Sequence, residues 1–143
     1  MTSDATRFAA PIGRFLLAWI FFASALAKLS NWQQPAQMMA EKGVPAVDAL
    51  LSIAVALEII GAVLVILGWH ARWGAACLLL FLICVTPVMH NFWTLEDPQK
   101  TEQMINFMKN VSIFGGLLLV VAFGPGAFSI DNRQRAKPAA PSA

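Results

Sequence analysis

Charge is scarce in this sequence. Asp, Glu, Lys and Arg make up only 13% of its 143 residues, against roughly 25% in an ordinary soluble domain. That scarcity argues against a soluble globular fold. The 58% apolar content and a mean hydropathy of +0.65 argue for a lipid environment instead. The small net charge of +2 is spread along the edges of apolar blocks and leaves no electrostatic footprint for a nucleic acid. Cysteine is nearly absent as well. Cys77 and Cys84 share one face of a helix at about 10 Å, too far apart for a mutual disulfide. They read as small packing residues. There is no Cys-x-x-Cys, haem-attachment motif, glycine-rich nucleotide loop or metal-ligand set. The chain therefore has no visible electron carrier of its own. Internal repeats and heptads are also missing.

What is present is four apolar blocks separated by short polar segments with Pro, Gly and Trp. The expected architecture is an all-α, integral membrane four-helix bundle, with spans at about 11–29, 46–69, 73–92 and 104–123. Residues 1–10 read as a polar, frayed start, 11–128 as the membrane domain, and 129–143 as a basic, then Pro/Ala-rich, disordered tail. Arg7 mimics the charged start of a signal peptide, but Lys28 and three further spans favour an uncleaved first helix. Pro35–Lys42 suggests a short amphipathic helix, with Met38 and Met39 resting on the membrane or capping the bundle. Trp69 and Trp73, flanking His70-Ala71-Arg72, read as an interfacial belt. Arg14 reads as a snorkelling residue. Pro87 is expected to kink the third span, with Thr86 helping to satisfy the freed backbone.

Four spans put both ends of the chain on one side. That side carries six of the ten basic residues, Arg7, Arg14, Arg72, Arg133, Arg135 and Lys137. The other carries Lys28, Lys42, Lys100 and Lys109. The excess places both termini in the cytoplasm. Depth follows from the helical rise of about 1.5 Å per residue. Measured from the terminal side, Glu58 lies about 16 Å deep, Lys28 and Lys109 about 21 Å, and His90 about 25 Å. Each span thus contributes a polar group within one layer about 10 Å thick. Asn106 and Asn110 accompany Lys109 on the fourth span.

Polar groups at such depth are costly, and they pair or line a cavity. One reading is an outward-opening polar pocket, with Glu58 as floor and Lys28 and Lys109 as cations. His90, Asn106 and Asn110 would form its wall and mouth. The other reading is a structural network that fixes helix register. Spacing gives depth and leaves both readings open.

The motifs Gly13-Arg14-Phe15-Leu16-Leu17 and Ala25-Leu26-Ala27-Lys28-Leu29, Glu58 with Gly61, and Leu67-Gly68 resemble the DoxX family of small four-helix bacterial inner-membrane proteins. So do His90-Asn91-Phe92-Trp93, Phe107-Met108-Lys109-Asn110 and Gly124-Pro125-Gly126-Ala127-Phe128-Ser129-Ile130-Asp131. The resemblance implies a multi-pass protein of the bacterial inner membrane. The family's name comes from a membrane subunit of a thiosulfate:quinone oxidoreductase, and other members are linked to oxidoreductase complexes and to oxidative or thiol stress. It supplies no shared catalytic residues, so none is assigned here. The resulting expectation is a membrane component of a quinone- or thiol/sulfur-linked redox system. Its cofactor would be a bound quinone, and any enzymatic role would be that of an oxidoreductase subunit acting with a partner protein. The lipid bilayer is the one partner every reading requires, and a homo-oligomer is left open. The alternatives are a non-enzymatic scaffold or assembly partner with a structural polar layer, and a pathway for protons or small solutes.

Overall fold

The computed structural model describes residues 4–135. Six helices follow in order: α1 (Asp4–Ser30), α2 (Gln33–Glu41), α3 (Val47–Leu67), α4 (Ala71–Met89), α5 (Gln99–Phe123) and α6 (Ile130–Arg135). A 3₁₀ turn at Phe92–Thr94 separates α4 from α5. Strands are absent among the described residues. Helices α1, α3, α4 and α5 are long and apolar enough to cross a membrane, so the chain is an integral membrane four-helix protein.

The packing is sequential. Helix α1 packs on α3, α3 on α4 and α4 on α5, whereas α1 and α5 touch only lightly. The α3–α4 pair is the closest. A Cβ added to Gly61 would stand 2.9 Å from the Gly74 carbonyl oxygen, and one added to Gly74 would stand 2.9 Å from that of Gly61. Side chains without bulk let two backbones approach in a medium where association rests on close packing. Around this contact lie Ala18 and Phe21 of α1, Ala62 and Val65 of α3, Leu78 and Leu82 of α4, and Leu117 of α5. Phe21 and Phe81 meet edge to face with centroids 6.0 Å apart. In α5 only Leu117 and Val120 are buried. A Cβ on Gly116 would meet Leu17 at 3.0 Å, while Gly115 faces open space.

The element boundaries differ from expectation in instructive places. Residues 4–10 are helical rather than frayed, because the chain's far end holds them: Phe8 stacks on Phe128 at 5.4 Å and the Arg7 guanidinium sits over the same ring. Helix α5 starts five residues earlier than the apolar run, since Pro98 occupies its N-cap and the polar first turns need no lipid. Helix α4 passes through Pro87 and stops two residues later. The expected disorder from residue 129 is overturned for 129–135: Ser129 is buried and α6 follows it. The remainder of that tail, 136–143, lies outside the described residues.

The end of the bundle that gathers the start of α1 and the last described residues is closed by the Gly124–Asp131 segment. Arg14 is 4% exposed, and its guanidinium donates to the carbonyl oxygens of Pro125, Ala127 and Phe128, the last two at 3.1 Å. Asp131 accepts the backbone N–H groups of His70 at 2.8 Å and Ala71 at 3.0 Å, satisfying the first donors of α4 from sixty residues away. Its own N–H donates to the Gly68 carbonyl. Gly68 ends α3 with φ of +64°, and a Cβ there would lie 2.4 Å from that of Ser129.

Candidate functional site

Lys28 and Glu58 meet between α1 and α3. Lys28 Nζ donates to Glu58 Oε1 at 2.7 Å, Glu58 Oε2 at 2.6 Å and Ser24 Oγ at 2.8 Å. An ammonium has three donors, and these three acceptors account for them. The helical repeat places Ser24 directly below Lys28. The small residues Ala25 and Ala62, both fully buried, let α1 approach the Glu58 face of α3. Glu58 is 1% exposed, while the Lys28 side chain is 21% exposed. The ammonium also lies 5.2 Å from the centroid of the Phe81 ring.

The exposed part of Lys28 opens on a cavity of about 340 Å³. Met39 of α2 covers it, Leu57 of α3 and Phe81, Cys84 and Val85 of α4 wall it, and Lys28 is its one charged group. Binding sites for small molecules span about 300–1,000 Å³ and combine mostly apolar walls with a few polar anchors, so the size is at the lower end of that range. The rim includes Ile53, Leu80 and Val88, all exposed on the flanks of α3 and α4. The cavity therefore gives sideways onto the bilayer. Two sequence expectations change here. The cavity is apolar rather than polar, and Glu58 sits behind Lys28 instead of forming a floor.

The other candidate residues fall into separate contacts. His90 Nδ1 lies 2.8 Å from Gln103 Oε1, joining the end of α4 to the first turns of α5. Asn110 Nδ2 donates to Thr86 Oγ1 at 3.1 Å, so this hydroxyl serves α5. Lys109 Nζ reaches Asn106 Oδ1 at 3.5 Å and is exposed, in a shallow groove with Met104, Ile105, Met108 and Ser112. The structure does not bring Lys109 to Glu58. Asn110 faces α4, and a neighbouring residue sits about 100° round the helix, which turns Lys109 outward. Of the six candidates, Lys28 and Glu58 form the one ion pair among the described residues that the polar layer contains.

Arg14, taken from the sequence as a snorkelling residue, is the buried charge that was missed. The signal for it was the coexistence of Gly13-Arg14 with the Gly124–Asp131 motif, which sequence alone could not join in space. Both cysteines are free, with Cys84 on the cavity wall. Among the described residues no cluster of His, Cys, Asp and Glu could hold a metal ion.

The DoxX family model matches residues 9–91, which contain most of α1, all of α2, α3 and α4, and the whole Lys28–Glu58 site. The chain belongs to the DoxX family. Inner membrane protein YphA of Escherichia coli is 34% identical over 122 residues, covering 85% of this chain and 87% of that protein. Inner membrane protein YqjF of the same organism is 28% identical over 120 residues, 84% of this chain and 87% of its own length. Similarity extends to the surfeit locus protein 4 homolog of Schizosaccharomyces pombe, 33% identical over 81 residues, where this DoxX chain matches 55% of itself and 27% of the longer protein. No solved structure matches.

Proposed function

We propose that this DoxX-family protein is the lipid-embedded, ligand-binding component of a redox system, and that the ligand is a quinone or similarly lipophilic carbonyl compound. The observation that carries the reading is the lateral apolar cavity ending on the Lys28 ammonium. A molecule dissolved in the bilayer enters between the flanks of α3 and α4 without crossing water. Its ring rests against Phe81 and Val85. Its carbonyl oxygen accepts the Nζ hydrogen bond now given to Ser24 Oγ, while Glu58 holds the ammonium in place. Electrons come from a partner oxidoreductase subunit. The excess of basic residues on the terminal side supports cytoplasmic termini in a bacterial inner membrane, where the YphA and YqjF names place those relatives. Reporter fusions at the C-terminus, one active only in the cytoplasm and one only outside it, test that orientation.

The binding test compares wild type with Ala54→Phe, which fills the cavity from α3 and leaves the ion pair alone. Both proteins are purified mildly, their lipids extracted, and quinone measured by mass spectrometry. Quinone retained by wild type and lost from a folded Ala54→Phe supports the reading. Equal quinone in both, or none in either, removes it. A second reading, a membrane scaffold whose pair only fixes helix register, draws on the near-complete burial of Glu58 and the full use of the Nζ donors. Under that reading Ala54→Phe changes stability alone.

A further inference from the structure

A second cavity, of about 480 Å³, lies at the opposite end of the spans from α2, beside the Gly124–Asp131 segment. Its polar lining comes from His70, Arg72, Asn132 and Gln134, and its wall from the Gly124-Pro125-Gly126 backbone. Trp73 and Phe123 complete it, and they are 73% and 80% exposed. Large aromatics at the ends of two spans mark the depth of the membrane interface. The cavity is therefore polar at its inner end and continuous with lipid-facing surface at its outer one.

Its lining carries one cation, Arg72, and one carboxylate, Asp131. Both Asp131 oxygens are engaged by the backbone N–H groups of His70 and Ala71. Arg72 makes one bond among the described residues, from Nη2 to the Ala122 carbonyl oxygen at 3.3 Å. A guanidinium has five N–H donors in a planar fork that suits a phosphate. Most of that fork is thus available, at the interface, with apolar rings on either side.

We infer that this cavity holds the headgroup of an anionic phospholipid. The phosphate sits on Arg72, with Asn132 and Gln134 reaching its oxygens or the headgroup's hydroxyls. The acyl chains run along α4 and α5 past Trp73 and Phe123. The site stands apart from the Lys28 cavity and depends on no assumption about what that cavity takes.

Native mass spectrometry of the full chain in detergent, titrated with phosphatidylglycerol, tests this. The expected result is one tightly held phosphatidylglycerol per chain, with phosphatidylcholine bound more weakly. Binding falls about tenfold or more in Arg72→Gln, as expected for loss of a charge-assisted pair, and less in Arg72→Lys. Melting temperatures of the lipid-free variants stay at the wild-type value, because Arg72 is exposed and makes a single long bond. Equal retention by wild type and Arg72→Gln would overturn the inference. Displacement of the lipid by millimolar glycerol phosphate would also overturn it, in favour of a site for soluble phosphate compounds.

Discussion

Two cations of α1, the buried Arg14 and the half-buried Lys28, are satisfied in different ways. Arg14 donates to backbone carbonyls of the Gly124–Asp131 segment, whereas Lys28 donates to side chains, Glu58 and Ser24. Backbone acceptors come with the fold and have no isostere that lacks them. A side-chain pair can be removed together and replaced by apolar residues of similar volume. The Arg14 end is thus tied to the architecture, and the Lys28 layer is chemically negotiable. The negotiable charge is the one beside a cavity open to the bilayer.

Arg14→Leu is the strongest way to break this comparison. It leaves three part-buried carbonyls without their donor, and at about 1.5–3 kcal/mol per charge-assisted bond the loss approaches the whole stability of the fold. The expected outcome is little recoverable protein, read as monodisperse material after detergent extraction. Glu58→Leu should cost roughly 3–5 kcal/mol, because it strands Lys28. Adding Lys28→Met should recover most of that, as followed by thermal unfolding with tryptophan fluorescence. A double variant no more stable than Glu58→Leu would show that the pair is as architectural as Arg14.

Gly68→Val sharpens the Arg14 side. The left-handed φ disfavours a side chain by about 1–2 kcal/mol, and the collision with Ser129 adds to that, so a total near 3 kcal/mol is expected in the same melt. Thr86→Val removes the acceptor for Asn110 and should cost about 0.6–1 kcal/mol, the usual worth of an interhelical bond in a membrane. Lys109→Ala should change stability by less than about 0.5 kcal/mol and leave quinone retention as in wild type. Loss of quinone in that variant would mean that the outer face of α5 contributes to the cavity.

Much of the fold was legible in the sequence, because apolar length and punctuation by Pro and Gly determine spans without tertiary information. Relative height along the bundle was legible for Lys28 and Glu58, which are level enough to meet, since height is the product of residue number and rise. Direction around the helix was not. Asn106, Lys109 and Asn110 sit close in depth, yet their spread about the axis sends Asn110 to α4 and Lys109 away from it. Lys28 and Glu58 were legible as deep opposite charges, but their bidentate contact depends on Ala25 and Ala62 letting α1 meet α3. Arg14 was misjudged because its partners are carbonyls, which carry no residue signature and lie more than a hundred positions downstream.

That separation also sets an order of events. Synthesis runs from the N-terminus, so all four spans are made before Pro125, Ala127 and Phe128 exist to receive Arg14. The Gly124–Asp131 segment is thus the last of the Arg14 partners to be made. Any chain that ends before residue 125 keeps Arg14 unsatisfied. A chain cut before residue 125 is therefore expected to give less monodisperse material after detergent extraction than the full chain.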